Sequence, residues 1–281
     1  MDTIQPGLQR IQAKLNFEAW HAYPQFATRR GLGRNVLIGC ILGMLWGVHF
    51  ALWILLSLNW VGFLPVGIDT FSVDRLRMAW QWCTYGVCVC TFHLLEFGVT
   101  AISNPTVVSA DSFLVNHSLT YTAAALTSWT EFGLRVALVP SWNYPSMSVC
   151  VALPLVLLSQ MIRSLAMATA GESFNHLIQT TKKENHVLIT HGIYKLLRHP
   201  SYVGFYYWSV GTQLLLGNFL HAAAFAVVSW VFFNRRIAYE EESLCLHFPH
   251  EYPAYVARSW MGIPFLFTKV EYTKTAMKDK Q

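Results

Sequence analysis

Residues 202–233, YVGFYYWSVGTQLLLGNFLHAAAFAVVSWVFF, decide how the chain is folded. Two apolar runs, 202–216 and 219–233, are separated only by Gly217-Asn218. A Gly-Asn break between two such runs predicts a helical hairpin in a membrane, returning the chain to the side it came from. Residues 170–200 and 234–281 then share one face, and both are rich in Lys and Arg, including Lys182, Lys183, Lys195, Arg198, Arg235 and Arg236. Basic loops favour the cytosolic side, so this face is expected in the cytosol.

Composition agrees with a membrane setting. Of 281 residues, 54% are hydrophobic and 12% charged, too apolar a mixture for an ordinary soluble domain. The expected fold is an all-α, polytopic integral membrane protein forming one domain over residues 1–281. The net charge of +5 sits mainly outside the apolar runs, which suits loops beside anionic lipid. Nucleic-acid binding calls for a contiguous basic face on a soluble module, so no nucleic-acid partner is expected. The first 35 residues hold no short apolar core followed by a small-residue cleavage site, so insertion is expected to use the first internal span. The six cysteines lie mostly in apolar segments without paired C-x-x-C spacing, and read as apolar filler rather than disulfides or a metal site.

Working back from the hairpin, apolar spans are expected at about residues 78–100 and 146–168. Two further stretches, 35–68 and 112–140, are long for a single span. As one helix the first would reach about 50 Å against a hydrocarbon core of ~30 Å. Hydropathy therefore allows six spans, or eight if both stretches divide. Either number keeps the two termini on the cytosolic face.

Ionisable residues inside spans are costly and mark candidates for function. His93 and Glu96, three apart on one helical face, read as a buried hydrogen-bonded pair rather than metal ligands, because histidine boxes and repeated carboxylate pairs are missing. Gln160 and Arg163 share a face near the cytosolic end of their span; Arg163 either attracts a carboxylate or snorkels to the interface.

Between the apolar regions lies HVLITHGIYKLLRHPSY, residues 186–202, dense in histidine and tyrosine. Gly192 permits a tight turn or close backbone approach, and Pro200 suits the first position of a helix. A helix starting there aims free N–H groups at a carboxylate. The rings of Tyr194 and Tyr202 suit an adenine or a cationic sulfonium, although an interfacial aromatic belt would use the same residues. Beyond the hairpin, Arg236 and Glu240 are spaced i and i+4, close enough for a salt bridge.

The segments GIYKLLRHPSYVGF (residues 192–205) and RRIAYEEESLCLHFPHEYPAYVARSWMGIPF (residues 235–265), in this order around a hairpin, resemble the isoprenylcysteine carboxyl methyltransferase family. The similarity runs from about residue 160 to 265; earlier residues fit by hydropathy. A broader superfamily with phospholipid N-methyltransferases and membrane sterol reductases shares the signatures, so phospholipid N-methylation is the alternative activity, and a non-enzymatic lipid-binding protein a more distant one. The resemblance implies a methyltransferase that esterifies the α-carboxylate of a C-terminal farnesyl- or geranylgeranyl-cysteine in lipidated proteins such as small GTPases. It implies S-adenosyl-L-methionine as cofactor, S-adenosyl-L-homocysteine as product, an endoplasmic reticulum membrane location and, from the family's animal members, eight spans. Residues 1–168 would form the prenyl-lipid access region and residues 169–265 the cofactor-binding region, with a pocket built by loop, hairpin and C-terminal segment. The cofactor contacts carried over are Gln179, His186, Val187, Leu188, Ile189, Tyr194, His199, Pro200, Ser201, Tyr202 and Glu240. Arg236 would position the substrate carboxylate, with Arg163 as a further candidate in that role. No metal is implied.

Overall fold

Lipid offers a backbone no hydrogen-bond partners, so a chain this apolar must satisfy its amides within helices. The computed structural model describes residues 31–60, 70–115, 118–138, 146–174 and 187–266. Six long helices carry these residues: α1 Leu32–Trp60, α2 Thr70–Ser103, α3 Leu119–Leu138, α4 Ser146–Ala170, α5 Pro200–Leu216 and α6 Phe219–His247. A short α7, Tyr252–Arg258, follows, and the one β element among the described residues is an isolated parallel bridge, Leu197 to Trp260. The all-α expectation therefore holds. Leu32–Asn59, Val73–Ser103 and Val149–Ser173 are long and apolar enough to cross a membrane by length and composition.

Over their described residues the two long apolar stretches carry one long helix each, α1 and α3. Residues 35–60 lie within the single helix α1, which contains glycines but no proline. A glycine weakens a helix in water, but breaking one in lipid would strand backbone groups, so α1 runs on. Ahead of α3, a 3₁₀ turn at Ala110–Phe113 and the left-handed Leu114 (φ 56°) break the chain, leaving a helix of 20 residues from the second stretch.

The hairpin is as expected. Gly217 ends α5, its N–H donating to the carbonyls of Gln213 and Leu214, and Asn218 starts α6. Asn218 is fully buried and its amide donates to Ser128 O of α3 at 2.8 Å. Two further hydrogen bonds join α3 to the hairpin: Arg135 to the Leu216 carbonyl, and Glu131 with the His221 ring. These bonds pin α3 to the hairpin tip.

Apolar attraction between helices is weak in lipid, so close packing must hold the bundle together. The core joins Tyr85 and Phe92 of α2, Val156 of α4, and Trp208 and Leu215 of α5, with Phe92 and Trp208 stacked at 4.1 Å. Helices α4 and α5 are in close contact at Gly204, where an added Cβ would stand 2.7 Å from Arg163 Cβ and 2.8 Å from Ser159 O. Gly204→Val is expected to force the two helices apart and lower the thermal unfolding midpoint of the solubilised protein, overpacking costing about 1–3 kcal/mol. An unchanged midpoint would contradict this packing.

Candidate functional site

Three pieces of chain converge where α4 ends and α5 begins. Loop residues 187–199 lead into α5 with Pro200 at its start, as its fixed φ and missing N–H favour. Gly192 takes φ 58°, and a Cβ there would lie 2.9 Å from the Thr169 side chain, so the loop presses onto α4 where only glycine fits. Its neighbour Tyr194 donates to Ala166 O of α4 at 3.4 Å.

The C-terminal segment straps this loop down. Tyr255 of α7 donates to Tyr194 O at 2.8 Å, and backbone bonds tie Arg198 N to Trp260 O (2.9 Å) and Trp260 N to Leu196 O (2.7 Å). Burial pushes the Tyr255 hydroxyl up to about 12 despite the opposing charges of Arg198 and Arg258, so it stays a donor at neutral pH. Burial also raises Tyr194, with Glu240 and Tyr255 adding to the effect.

The hairpin sets α6 against the start of α5. Arg236 and Glu240 face the same point, with the Tyr202 hydroxyl between them: it accepts from Arg236 Nε at 2.8 Å and donates to Glu240 Oε2 at 2.6 Å. The expected ion pair thus becomes a bridge through a phenol. The Tyr202 ring stacks between His199 at 5.6 Å and Phe233 at 5.1 Å.

On the α4 side, Arg163 is buried rather than snorkelling. Its guanidinium is paired with Glu96 of α2, Nη2 donating to Oε2 at 2.8 Å, and Nη1 donates to Ser201 O at 3.1 Å and Ser201 Oγ at 3.0 Å. The rings of Phe92 and Phe205 lie within 6 Å of the charge. Both His93 and Glu96 are buried, as expected, but the structure gives each a partner elsewhere, His93 Nδ1 lying 2.7 Å from Phe113 O. Gln160 donates to Ser164 Oγ at 3.2 Å.

A cavity of about 1200 Å³ joins these groups. Its polar end is lined by Arg163, Tyr194, His199, Ser201, Tyr202, Arg236 and Glu240, so seven of the expected site residues meet there. It continues as an apolar space between α3 and α6, past Tyr121, Ala124, Phe225, Val228 and Phe232. Four expected residues are not part of its lining: Val187 is exposed, Leu188 packs against Phe248, Tyr252 and Tyr255, Ile189 is half-buried, and Pro200 is buried at the helix start. Gln179 and His186 fall outside the described residues. Sequence reasoning did not single out Glu96 as the partner of Arg163, nor Ser243 and Leu244 as cavity wall. For Glu96 the signal was present: two isolated charges of opposite sign in separate apolar spans.

The site is that of a helical membrane protein in which one cavity runs from an apolar space to an end lined by a carboxylate, two arginines and two tyrosines. The family model of isoprenylcysteine carboxyl methyltransferases matches residues 151–246. The protein-S-isoprenylcysteine O-methyltransferase of Saccharomyces cerevisiae is 35% identical over 258 residues, 88% of this chain and 96% of that protein. The Xenopus laevis enzyme of the same name is 44% identical over 188 residues, the match spanning 66% of this chain and 65% of the relative, just under two thirds of its length. A solved structure of the eukaryotic intramembrane Ras methyltransferase, isoprenylcysteine carboxyl methyltransferase, superposes with a TM-score of 0.66 at 31% identity, covering 81% of this chain and 97% of that one. The chain belongs to the isoprenylcysteine carboxyl methyltransferase family.

Proposed function

We propose that this protein uses S-adenosylmethionine to methyl-esterify the C-terminal α-carboxylate of farnesyl- or geranylgeranyl-cysteine on lipidated proteins such as small GTPases. The observation that carries this reading is the continuity of one cavity from the Arg236–Tyr202–Glu240 cluster to the apolar space between α3 and α6. A prenyl chain gains ~0.8 kcal/mol per buried CH₂, so it stays on the apolar side while its carboxylate reaches the charged end.

The donor set fits the cofactor. Glu240 suits a ribose hydroxyl or a methionine ammonium, the Tyr194 ring suits an adenine or a sulfonium, and Tyr202, its ring already flanked by His199 and Phe233, orients Glu240 through its hydroxyl. Gln179, His186 to Ile189, His199, Pro200 and Ser201 complete the proposed binding set. Bound S-adenosylmethionine supplies an electrophilic methyl group, leaving S-adenosylhomocysteine after transfer. Arg236 positions the carboxylate, its guanidinium oriented by the bond from Nε to Tyr202. A chain-terminal carboxyl group ordinarily titrates at about 3.3–3.7 and is already ionised at neutral pH, so no general base is needed. Phe205, Phe232 and Phe233 keep water from it, which strengthens a weak nucleophile. Arg163, held by Glu96, supports the same end of the cavity through Ser201.

The basic residues Lys195, Arg198, Arg235 and Arg236 support a cytosolic catalytic face, and the family resemblance supports an endoplasmic reticulum membrane. In this reading residues 1–168 supply much of the lipid side, which Phe225, Val228 and Phe232 of α6 complete, and residues 169–265 most of the cofactor side. S-adenosylhomocysteine at 100 times its Kd is expected to stabilise the solubilised protein by about 2.7 kcal/mol. Glu240→Ala should lose that stabilisation at the same concentration. A wild-type protein that does not respond would overturn the reading.

A further inference from the structure

Adjacent glutamates on α6 face different surroundings. Glu240 lines the cavity, whereas Glu241 is 1% exposed and turned toward the loop that precedes α5. Its Oε1 lies 3.2 Å from His199 Nε2 and 3.4 Å from Arg198 Nε. A carboxylate buried so fully is costly unless paired, so this one is committed to the two residues that immediately precede the helix.

The position of those residues sets the pocket. The His199 carbonyl accepts from Tyr202 N at 3.0 Å and Val203 N at 3.1 Å, forming the first turn of α5. The His199 ring lies nearly parallel to that of Tyr202, at 9°, and the Tyr202 hydroxyl donates to Glu240. A circuit therefore runs from Glu241 through His199 and Tyr202 to Glu240, beginning and ending on neighbouring residues of one helix. Arg198, the other partner of Glu241, is tied by its N–H to the C-terminal segment at Trp260 O.

We infer that Glu241 is a positioning residue for the cofactor: without touching the ligand, it locks His199 against α6 and so fixes Tyr202 and Glu240 at the distance the cofactor requires. This rests on the methyltransferase reading above. A purely structural carboxylate would change stability and leave ligand affinities alone, whereas a positioning residue changes affinity for one ligand and spares the other.

The test uses full-length protein in lipid nanodiscs. Glu241→Gln keeps the shape and removes the charge, and is expected to weaken S-adenosylhomocysteine binding about tenfold, or 1.4 kcal/mol, with a parallel rise in KM for S-adenosylmethionine. The KM for N-acetyl-S-farnesylcysteine should rise no more than about twofold, because Arg236 keeps its charge in the cavity even as its bond to Tyr202 shifts. In a His199→Ala background, Glu241→Gln should add less than about twofold, because the connection it acts through is already cut. Unchanged cofactor affinity in Glu241→Gln, or a full additional loss on top of His199→Ala, would overturn the inference while leaving the methyltransferase reading standing. A wild-type protein without affinity for S-adenosylhomocysteine would overturn both. If Glu241→Gln is not recovered folded, Glu241→Asp, one methylene shorter, is expected to lose several-fold in cofactor affinity with farnesylcysteine KM preserved; wild-type affinity there would also overturn it.

Discussion

Arg236→Ala is expected to lower kcat/KM for N-acetyl-S-farnesylcysteine by roughly 10²–10³-fold, the effect of removing a charged partner worth about 3–4 kcal/mol. Affinity for S-adenosylhomocysteine should change less than about threefold. The asymmetry follows from the bridge at Tyr202. Arg236 reaches this hydroxyl from one side and Glu240 from the other, so truncating the arginine leaves the bond from Tyr202 to Glu240 in place. What disappears is the cation facing the substrate carboxylate, together with its hold on the direction of attack. Steady-state kinetics with calorimetric cofactor binding would separate the two effects. Lost cofactor affinity with an unaltered farnesylcysteine KM would reverse the assignment.

Arg163→Ala should produce the largest loss of stability. It leaves Glu96, 1% exposed, without its guanidinium partner in the middle of the bundle, and breaking a buried pair from one side typically costs about 3–5 kcal/mol. It also removes the donors to the Ser201 carbonyl and hydroxyl, linking the damage to the first turn of α5. The thermal midpoint of the solubilised protein is expected to fall by about 10 °C, at ~2–4 °C per kcal/mol for a chain of this size. The double variant Arg163→Met with Glu96→Gln should recover much of that loss, since neither charge is then stranded. A single variant as stable as wild type would show that the pair carries no structural burden.

Much of this architecture is legible in the amino-acid order because lipid leaves few choices. Gly217-Asn218 between two apolar runs fits little except a hairpin, and Pro200 after a polar loop marks a helix start. The hairpin in turn brings Tyr202 opposite Arg236 and Glu240. Other features depend on distance through space. A spacing of i and i+4 places Arg236 beside Glu240 whether or not a hydroxyl intervenes, and Tyr202 is 34 residues away from Arg236 in sequence. Glu96 and Arg163 are separated by 67 residues, so each registers as a costly charge while the pairing stays hidden. Length alone does not decide how residues 35–68 are divided: over 35–60 they form one helix, and a helix can exceed the hydrocarbon thickness by tilting or extending past it.

The central claim concerns which group receives the methyl. Nanodisc-embedded protein given methyl-labelled S-adenosylmethionine with N-acetyl-S-farnesylcysteine, its C-terminal amide analogue and phosphatidylethanolamine tests it most directly. The predicted result is label recovered as a base-labile methyl ester of farnesylcysteine, with none on the amide analogue and none on the lipid amine. Label on phosphatidylethanolamine, or on the amide analogue, would contradict the account, as would a protein that transfers no methyl group at all.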